Sequence, residues 1–127
     1  MIDGDPEETV RRFMAAIERD GDLKDLTEIC VPSVVEEWRA NMQNFGFAER
    51  TFTVDDVVVG GSKVAILWTI AGRHTGDFAG LPPTGKRTSN TGSAFFTLHD
   101  GKIAELVTHY DAEGVFRQLG ATITLAV

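Results

Sequence analysis

The chain is predicted to fold as one α+β domain, with N-terminal helices packed on a strongly curved, mainly antiparallel sheet. Apolar residues recur at helical spacing up to about residue 46, whereas from residue 51 onward they fall in segments rich in Val, Thr and Phe. Helices followed by strands with short turns are typical of α+β domains. A chain of 127 residues is large enough for one hydrophobic core but not for two, so we expect one domain over residues 1–127.

Three helices are predicted in the first half of the chain. Asp5 and Pro6 supply a cap and a first turn, and the next apolar residues share one helical face: Val10, Phe13, Met14 and Ile17. A second helix begins at Asp22 and must end before Pro32, because the residue before a proline avoids the helical conformation. A third helix, capped by Ser33, carries an apolar stripe that consists of Val34, Val35, Trp38, Met42 and Phe45.

Four strands are predicted in the second half, over residues 51–59, 63–73, 88–98 and 102–111. Gly60-Gly61-Ser62 and His99-Asp100-Gly101 are typical of tight antiparallel hairpins, since Gly-Gly and Asp-Gly supply the positive φ that such turns need. Both faces of the second strand are largely apolar. The sheet is therefore either covered on both sides or wrapped around a cavity.

The charge and composition argue against several classes of partner. The net charge is −7 and no Lys/Arg cluster offsets it, so we expect neither nucleic acid nor an anionic membrane as a partner. The apolar runs are shorter than a bilayer span, and no basic region followed by an apolar stretch opens the chain, so we expect a cytoplasmic protein. The single cysteine, Cys30, excludes an internal disulfide, and the three histidines form no recognisable metal cluster.

Candidate chemistry lies on the last predicted strand. Alternate side chains share a face, which places Val107, His109 and Asp111 on one side, where the last two can face one cavity. An imidazole beside a carboxylate can act as an acid/base pair, because apolar burial raises the pKa of the carboxyl while a protonated neighbour lowers it. Asp111 can equally cap a helix that starts near Val115, and a capping carboxylate is a weaker base.

Further residues are candidates for the rim and the wall of a pocket. His74 lies just after a predicted strand between two glycines and can reach the rim, although a structural role fits a loop histidine equally well. Aromatic residues on the predicted helices and strands can enclose a substrate: Trp38, Phe45, Trp68 and Phe96. Trp38 at helical spacing is also compatible with a simple core position.

Four short motifs together resemble one known family. They are His74-Thr-Gly, Leu81-Pro-Pro-Thr-Gly85, Gly101-Lys-Ile, and Asp111 followed by Arg117-Gln-Leu-Gly120. Their order and spacing are similar to those of the SnoaL-like polyketide cyclases of the nuclear transport factor 2-like superfamily, over roughly residues 53–120. The resemblance implies a cone-shaped fold that encloses an apolar pocket, commonly as a homodimer. It implies no cofactor and no metal.

The resemblance also implies a reaction, the intramolecular aldol closure of a ring in a small apolar or aromatic polyketide. In this scheme Asp111 removes a proton from a carbon between carbonyls and returns it to the new alkoxide, while His109, His74 or Tyr110 donates to the carbonyl oxygen. Val107 stands where relatives commonly carry an aromatic residue, which reduces the stacking surface for a planar substrate.

Two other functions stay open. Arg73, Asp77 and Asp111 are a loose counterpart of the Asp, Arg, Asp set with which limonene-epoxide-hydrolase-like members of the superfamily activate water, so Arg73 is a further candidate for the pocket. A non-catalytic domain would only hold an apolar ligand or dimerise, and the apolar tail over residues 121–127 favours association. A sizeable cavity with a desolvated Asp111 would favour catalysis. A filled core with Asp111 as a helix cap would favour a purely structural role for Asp111.

Overall fold

A computed structural model describes residues 5–19, 23–42, 46–122 and 124. In this part of the chain three helices precede four strands and a short final helix, which confirms the α+β prediction. The elements in order are α1 (Pro6–Glu18), α2 (Leu23–Ile29), α3 (Pro32–Met42), β1 (Phe47–Gly60), β2 (Lys63–His74), β3 (Arg87–His99), β4 (Lys102–Tyr110) and α4 (Ala112–Gln118). Within the described residues, no helix combines the length and the apolar character that a transmembrane span needs.

The helix boundaries follow the capping chemistry of the sequence with one difference. The Asp5 carboxylate caps α1 by accepting a 3.0 Å hydrogen bond from Glu7 N, as predicted. Helix α3 begins at Pro32 rather than after Ser33, because a proline at the first helical position gives up no hydrogen bond that the helix needs. The predicted start of the second helix at Asp22 and the end of the third at Phe45 lie outside the described residues.

The sheet is an antiparallel meander with the strand order β1-β2-β3-β4. Both predicted hairpins are present, and Gly61, Asp100 and Gly101 all have positive φ. Strand β1 begins at Phe47, four residues earlier than predicted, because a register shift between Ala48 and Thr51 lets the strand continue past an irregular position.

The core lies between the helices and the inner face of the sheet. Phe13 of α1 is its centre: the ring contacts Trp38 of α3 and Phe96 of β3 edge-on, with centroids 5.6 Å away in each case. Each buried side chain of this size contributes about 1.5–3 kcal/mol to stability. Glu18, at the end of α1, also accepts a 2.8 Å hydrogen bond from Phe52 N on the edge strand β1, which fixes the helix against the sheet.

A β-bulge determines which side chains of β4 point inward. Leu98 pairs with Ile103, but after a register shift Phe96 pairs with Leu106. Ile103 is fully buried and Leu106 also packs against the core. In a regular strand, residues three positions apart would face opposite sides of the sheet. Beyond the bulge the even-numbered residues of β4 therefore face the helices.

Candidate functional site

A cavity of about 430 Å³ lies between the helices and the inner face of the sheet. Most of its lining is apolar, and the larger lining side chains are Phe13, Met14, Ile17, Trp38, Phe47, Phe52, Trp68, Ile70, Phe78, Phe96, Leu106 and Val115. Three of the aromatic residues proposed for the wall of a pocket, Trp38, Trp68 and Phe96, are among them. The fourth, Phe45, lies outside the described residues.

Four polar side chains form a stripe along one wall of this cavity, which we call the polar stripe: Thr88 and Asn90 of β3, and Thr108 and Tyr110 of β4. The Thr108 hydroxyl donates a 3.2 Å hydrogen bond to the carbonyl oxygen of Ser93. Tyr110 is 48% exposed, so its end of the stripe reaches the protein surface. No Asp, Glu, Lys, Arg or His side chain belongs to the lining formed by the described residues.

Three buried nitrogens in or near the cavity lack an acceptor among the described residues: Nε1 of Trp38, Nδ2 of Asn90 and Nε2 of His74. Trp38 and Asn90 line the cavity directly. A buried donor without a partner costs about 1–3 kcal/mol, so an acceptor brought by a ligand would recover that cost.

His74 is fully buried at the end of β2, rather than exposed at a rim. Its Nδ1 accepts a 3.1 Å hydrogen bond from the backbone N–H of Thr84. Because an amide N–H can only donate, Nδ1 acts as an acceptor here and Nε2 is the ring nitrogen that can donate. The ring stacks at a tilt on Phe47, with centroids 5.2 Å apart, and meets Phe78 edge-on. His74 thus lies behind two rings that line the cavity.

The same histidine closes the loop that follows it. His74 N donates to Lys86 O and Gly85 N donates to His74 O, each at 2.8 Å. Together with the bond from Thr84, these contacts hold both ends of the segment that presents Phe78 to the cavity. The His74-Thr-Gly and Pro-Pro-Thr-Gly motifs therefore have a common structural role.

Asp111, His109 and Val107 lie outside the cavity, and this corrects their expected position. Val107 is 51% exposed on the outer face of the sheet. His109 and Asp111 line a shallow depression on that face together with Asp55. The physical reason is the bulge in β4, which turns the even-numbered side chains inward and leaves the odd-numbered ones outside.

Asp111 caps helix α4. Its Oδ1 accepts a 2.9 Å hydrogen bond from Gly114 N, and the carboxylate is exposed. A Cβ at position 114 would overlap Oδ2 of Asp111, so a larger residue there would make the capping carboxylate move. The Asp-x-x-Gly spacing is thus that of a capping pair. Trp68 and Tyr110 line both the cavity and the outer depression, so they form the partition between Asp111 and the interior.

Arg73 also lies outside the cavity lining. Its Nε donates a 2.8 Å hydrogen bond to Glu49, which Arg87 contacts as well at 3.0 Å. This hydrogen bond and the charge of Arg73 lower the pKa of the Glu49 carboxyl. Asp77 accepts a hydrogen bond from Gly80 N in an exposed turn, and it lines neither the cavity nor the outer depression that contains Asp111. The structure therefore does not assemble Arg73, Asp77 and Asp111 around one space.

Several lining residues were not foreseen, namely Phe47, Phe52, Ile70, Phe78, Thr88, Asn90 and Thr108. A signal for two of them was present. Thr88 and Asn90 alternate in phase with the apolar residues Ala94 and Phe96 of the same strand, so period-two alternation places all four on one face.

Neither a metal nor a reactive thiol is indicated. Within the residues that the structure describes, no group of three or more His, Cys, Asp or Glu side chains is arranged to hold a metal ion. Cys30 is 1% exposed, and burial raises the pKa of its thiol to about 12, against a smaller opposing effect of Lys102. A thiol in this state is a poor nucleophile.

Comparison with solved structures identifies the same architecture elsewhere. TsrD from Streptomyces laurentii is 29% identical, with a TM-score of 0.81 over 91% of this chain and 95% of that chain. IdmH, a candidate polyketide cyclase from Streptomyces antibioticus, is 28% identical, with a TM-score of 0.80 over 93% of this chain and 100% of that one. A candidate SnoaL-like polyketide cyclase from Jannaschia sp. CCS1 is 26% identical, with a TM-score of 0.82 and 93% coverage of both chains.

A search among functionally curated proteins gives no significant match. The sequence model of one family, however, matches residues 8–119, which include α1 except its first two residues, helices α2 and α3, the whole sheet and helix α4. This match and the shared curved-sheet architecture show that the chain belongs to the SnoaL-like polyketide cyclase family.

Proposed function

We propose that the protein closes a ring in a small apolar or aromatic polyketide by an intramolecular aldol reaction inside the cavity, without a cofactor. The observation that carries this proposal is an apolar cavity of about 430 Å³ with polar groups confined to one stripe. Ligand sites for small molecules have volumes of about 300–1,000 Å³ and combine apolar walls with a few polar groups that orient the ligand. Membership of a cyclase family supports the reaction class.

The cavity contributes mainly by holding the substrate in a folded conformation. Ring closure requires that two carbons of one flexible chain approach each other, and a confined apolar space reduces the entropy cost of that approach. The polar stripe can donate hydrogen bonds to the carbonyl oxygen on which negative charge develops. Asn90 and Tyr110 have the donors for this task.

The proton acceptor in this proposal is Asp111, with His109 beside it in the outer depression. For Asp111 to act on a substrate in the cavity, its carboxylate must release Gly114 N. The side chains of Trp68 and Tyr110, which separate it from the cavity, must also move aside. Of the three candidate donors, Tyr110 lines the cavity, His109 lies in the outer depression, and Nε2 of His74 lies behind Phe47 and Phe78. Different mutations can test the role of Asp111 and the enclosure of the ligand independently.

The decisive experiment compares ring closure of a poly-β-ketone ester by the wild type, Asp111→Asn and Asp111→Ala. Asparagine caps a helix as well as aspartate but is not a base, whereas alanine removes both properties. If Asp111 is the base, Asp111→Asn loses at least a hundredfold in rate, within the range for general bases, while thermal unfolding stays unchanged. Unchanged ring closure by a folded Asp111→Asn variant would remove Asp111 from the mechanism.

A cavity variant tests enclosure itself. Ala40 lines the cavity but is exposed on α3, so Ala40→Trp should reduce the space in the cavity without disturbing the core. We expect this variant to bind ligand and close rings more slowly, while Ala15→Trp, on the exposed side of α1, serves as the control. Equal rates for both variants would contradict enclosure in this cavity.

A second function, ligand binding without chemistry, is favoured by the absence of a carboxylate from the described lining and by the capping role of Asp111. The two functions differ in one measurement. A binding protein retains the ester with a measurable Kd while the product forms no faster than in buffer.

The protein is further proposed to form a homodimer through the outer face of the sheet. One cross-strand row there runs Val58, Ala65, Phe95 and Val107, and the next row contains Leu67. Phe95 is 58% exposed and Leu67 is 53% exposed. Apolar residues contiguous over several strands are typical of a contact surface.

A further inference from the structure

The residues of the polar stripe follow one another along the inner face of strands β3 and β4. Thr88 and Asn90 follow each other on β3, and the next two steps along the same face bring Tyr110 beside Gly92 and Thr108 beside Ala94. Successive steps on one face of a strand are about 6.6–6.8 Å apart. The neighbours of Thr88 and Asn90 on β2 are Gly72 and Ile70, which offer no polar side chain. The polar groups of the sheet wall therefore lie along one line.

The described residues that line the cavity include no charged side chain. A carboxylate, phosphate or ammonium group on a ligand would be desolvated there without an ionic partner, which is strongly unfavourable. The described part of the lining therefore favours an uncharged ligand.

The hydrogen-bond donors of the stripe differ in their surroundings. The Thr108 hydroxyl already donates to Ser93 O, so it is left as an acceptor. Nδ2 of Asn90, in contrast, is buried without an acceptor in the described part of the chain. Across the cavity, Trp38 of α3 presents a second hydrogen-bond donor, Nε1, which also has no acceptor among the described residues.

We infer that the Asn90 amide is a specificity-determining group of the cavity, and that it selects an uncharged ligand whose acceptor oxygens lie along one edge. This inference rests on the proposed function, since it names the substrate class of the same cavity. In binding, an oxygen of the ligand accepts a hydrogen bond from Nδ2 of Asn90 and recovers the cost of the buried donor. The opposite edge contacts the apolar side chains of α1, such as Phe13, Met14 and Ile17.

The probes are two isomers that differ only in the placement of oxygen. 1,8-Dihydroxyanthraquinone carries three oxygens on one edge, whereas 1,5-dihydroxyanthraquinone distributes them equally over both edges. Anthraquinone-2-carboxylate adds a charge. Binding is measured by quenching of tryptophan fluorescence at a pH at which both phenols are protonated. We expect the 1,8 isomer to bind about tenfold more tightly than the 1,5 isomer, equivalent to about 1.4 kcal/mol, and the carboxylate to bind more weakly than either.

Matched variants assign the selectivity to Asn90. In Asn90→Leu, or in Asn90→Ala if the first does not fold, the ratio between the isomers should fall to about one. Thr91→Val alters the next residue of β3, which lines the outer depression, and should keep the ratio. Equal binding of both isomers by the wild type, or a ratio that survives at Asn90→Ala, overturns the inference but leaves cavity binding intact. Absence of binding for both isomers overturns cavity binding, and the inference with it.

Discussion

The side-chain amide of Gln118 exchanges two hydrogen bonds with the backbone of Ser89: Ser89 N donates to Oε1, and Nε2 donates to Ser89 O, both at 2.8 Å. Strand β4 pairs with β3 only as far as Gly92 and Tyr110. Beyond that point the glutamine takes the place of a strand partner for β3. The Gln-Leu-Gly motif thus has a structural explanation: Gln118 attaches α4 to the sheet, and Leu119 is buried behind it.

Replacing Gln118 with alanine should lower the free energy of unfolding by about 1–2 kcal/mol, because each lost hydrogen bond contributes about 0.5–1.5 kcal/mol and Ser89 remains open to water. Urea denaturation measures the change. Arg117→Ala is the control, since its pair with Glu113 is exposed and contributes little. Equal stability of Gln118→Ala and the wild type would show that the paired amide is not needed to hold α4.

Gly114→Ala should destabilise the protein by at most about 1 kcal/mol, because the new Cβ displaces the Asp111 carboxylate from its capping position, at a cost of about 0.5–2 kcal/mol, while alanine is favoured over glycine in a helix by about 1 kcal/mol. In an Asp111→Ala background the same substitution should cost less, since the overlapping atoms are gone. The two single variants and the double variant form a thermodynamic cycle that is measured by thermal unfolding. Strict additivity would mean that the two residues do not act as a capping pair.

The buried thiol of Cys30 predicts a loss of stability in alkali. The pKa of the thiol is about 12 in the folded protein, above its ordinary value of 9.0. The folded state therefore holds the proton more tightly, and this contribution is complete below pH 9 and is lost as the pH rises toward 12. Between these values the loss approaches about 1.4 kcal/mol per pH unit.

The measurement for Cys30 is urea unfolding of the wild type and Cys30→Ala at pH 8 and pH 10. The stability difference between the two proteins should shrink at the higher pH, because only the wild type has the thiol to ionise. A thiol reagent provides a second observation at neutral pH: it should react with Cys30 only after unfolding. A constant difference between pH 8 and pH 10 would argue against the raised pKa.

The proposed homodimer predicts that one charge on the outer face is enough to separate the protomers. Phe95→Glu places a carboxylate in the centre of the exposed apolar row, where burial against a second copy would leave it unpaired. Sedimentation velocity should show a dimer for the wild type and a monomer for Phe95→Glu. Ala15→Glu, which adds the same charge on α1, should remain dimeric. A monomeric wild type would contradict the proposal directly.

Much of the fold could be predicted because the relevant signals are local. Asp5 and Pro6 determine the start of α1, and the Asp100-Gly101 turn determines the β3–β4 hairpin, each through the conformational preferences of neighbouring residues. Helix α3 starts two residues earlier than the cap at Ser33 predicts, because Pro32 also suits the first helical position. The register shift at Ala48 has no comparable signal, so the early start of β1 was not predicted.

The candidate site was harder to predict because its position depends on tertiary pairing. Period-two alternation correctly groups His109 with Val107 and Tyr110 with Thr108, but it does not say which group faces inward. Leu106 and Val107 are equally apolar, so neither marks the core. The answer comes from Phe96 pairing with Leu106, a contact that the bulge creates.

The bulge near Thr97 has an evolutionary consequence. One residue gained or lost in β4 would exchange its two rows of side chains, bringing an imidazole into the interior and sending a phenol to the surface, with every other element in place. In proteins with this fold, the insertion or deletion of a single codon can thus add an ionisable side chain to the interior or remove one, with no substitution of any residue.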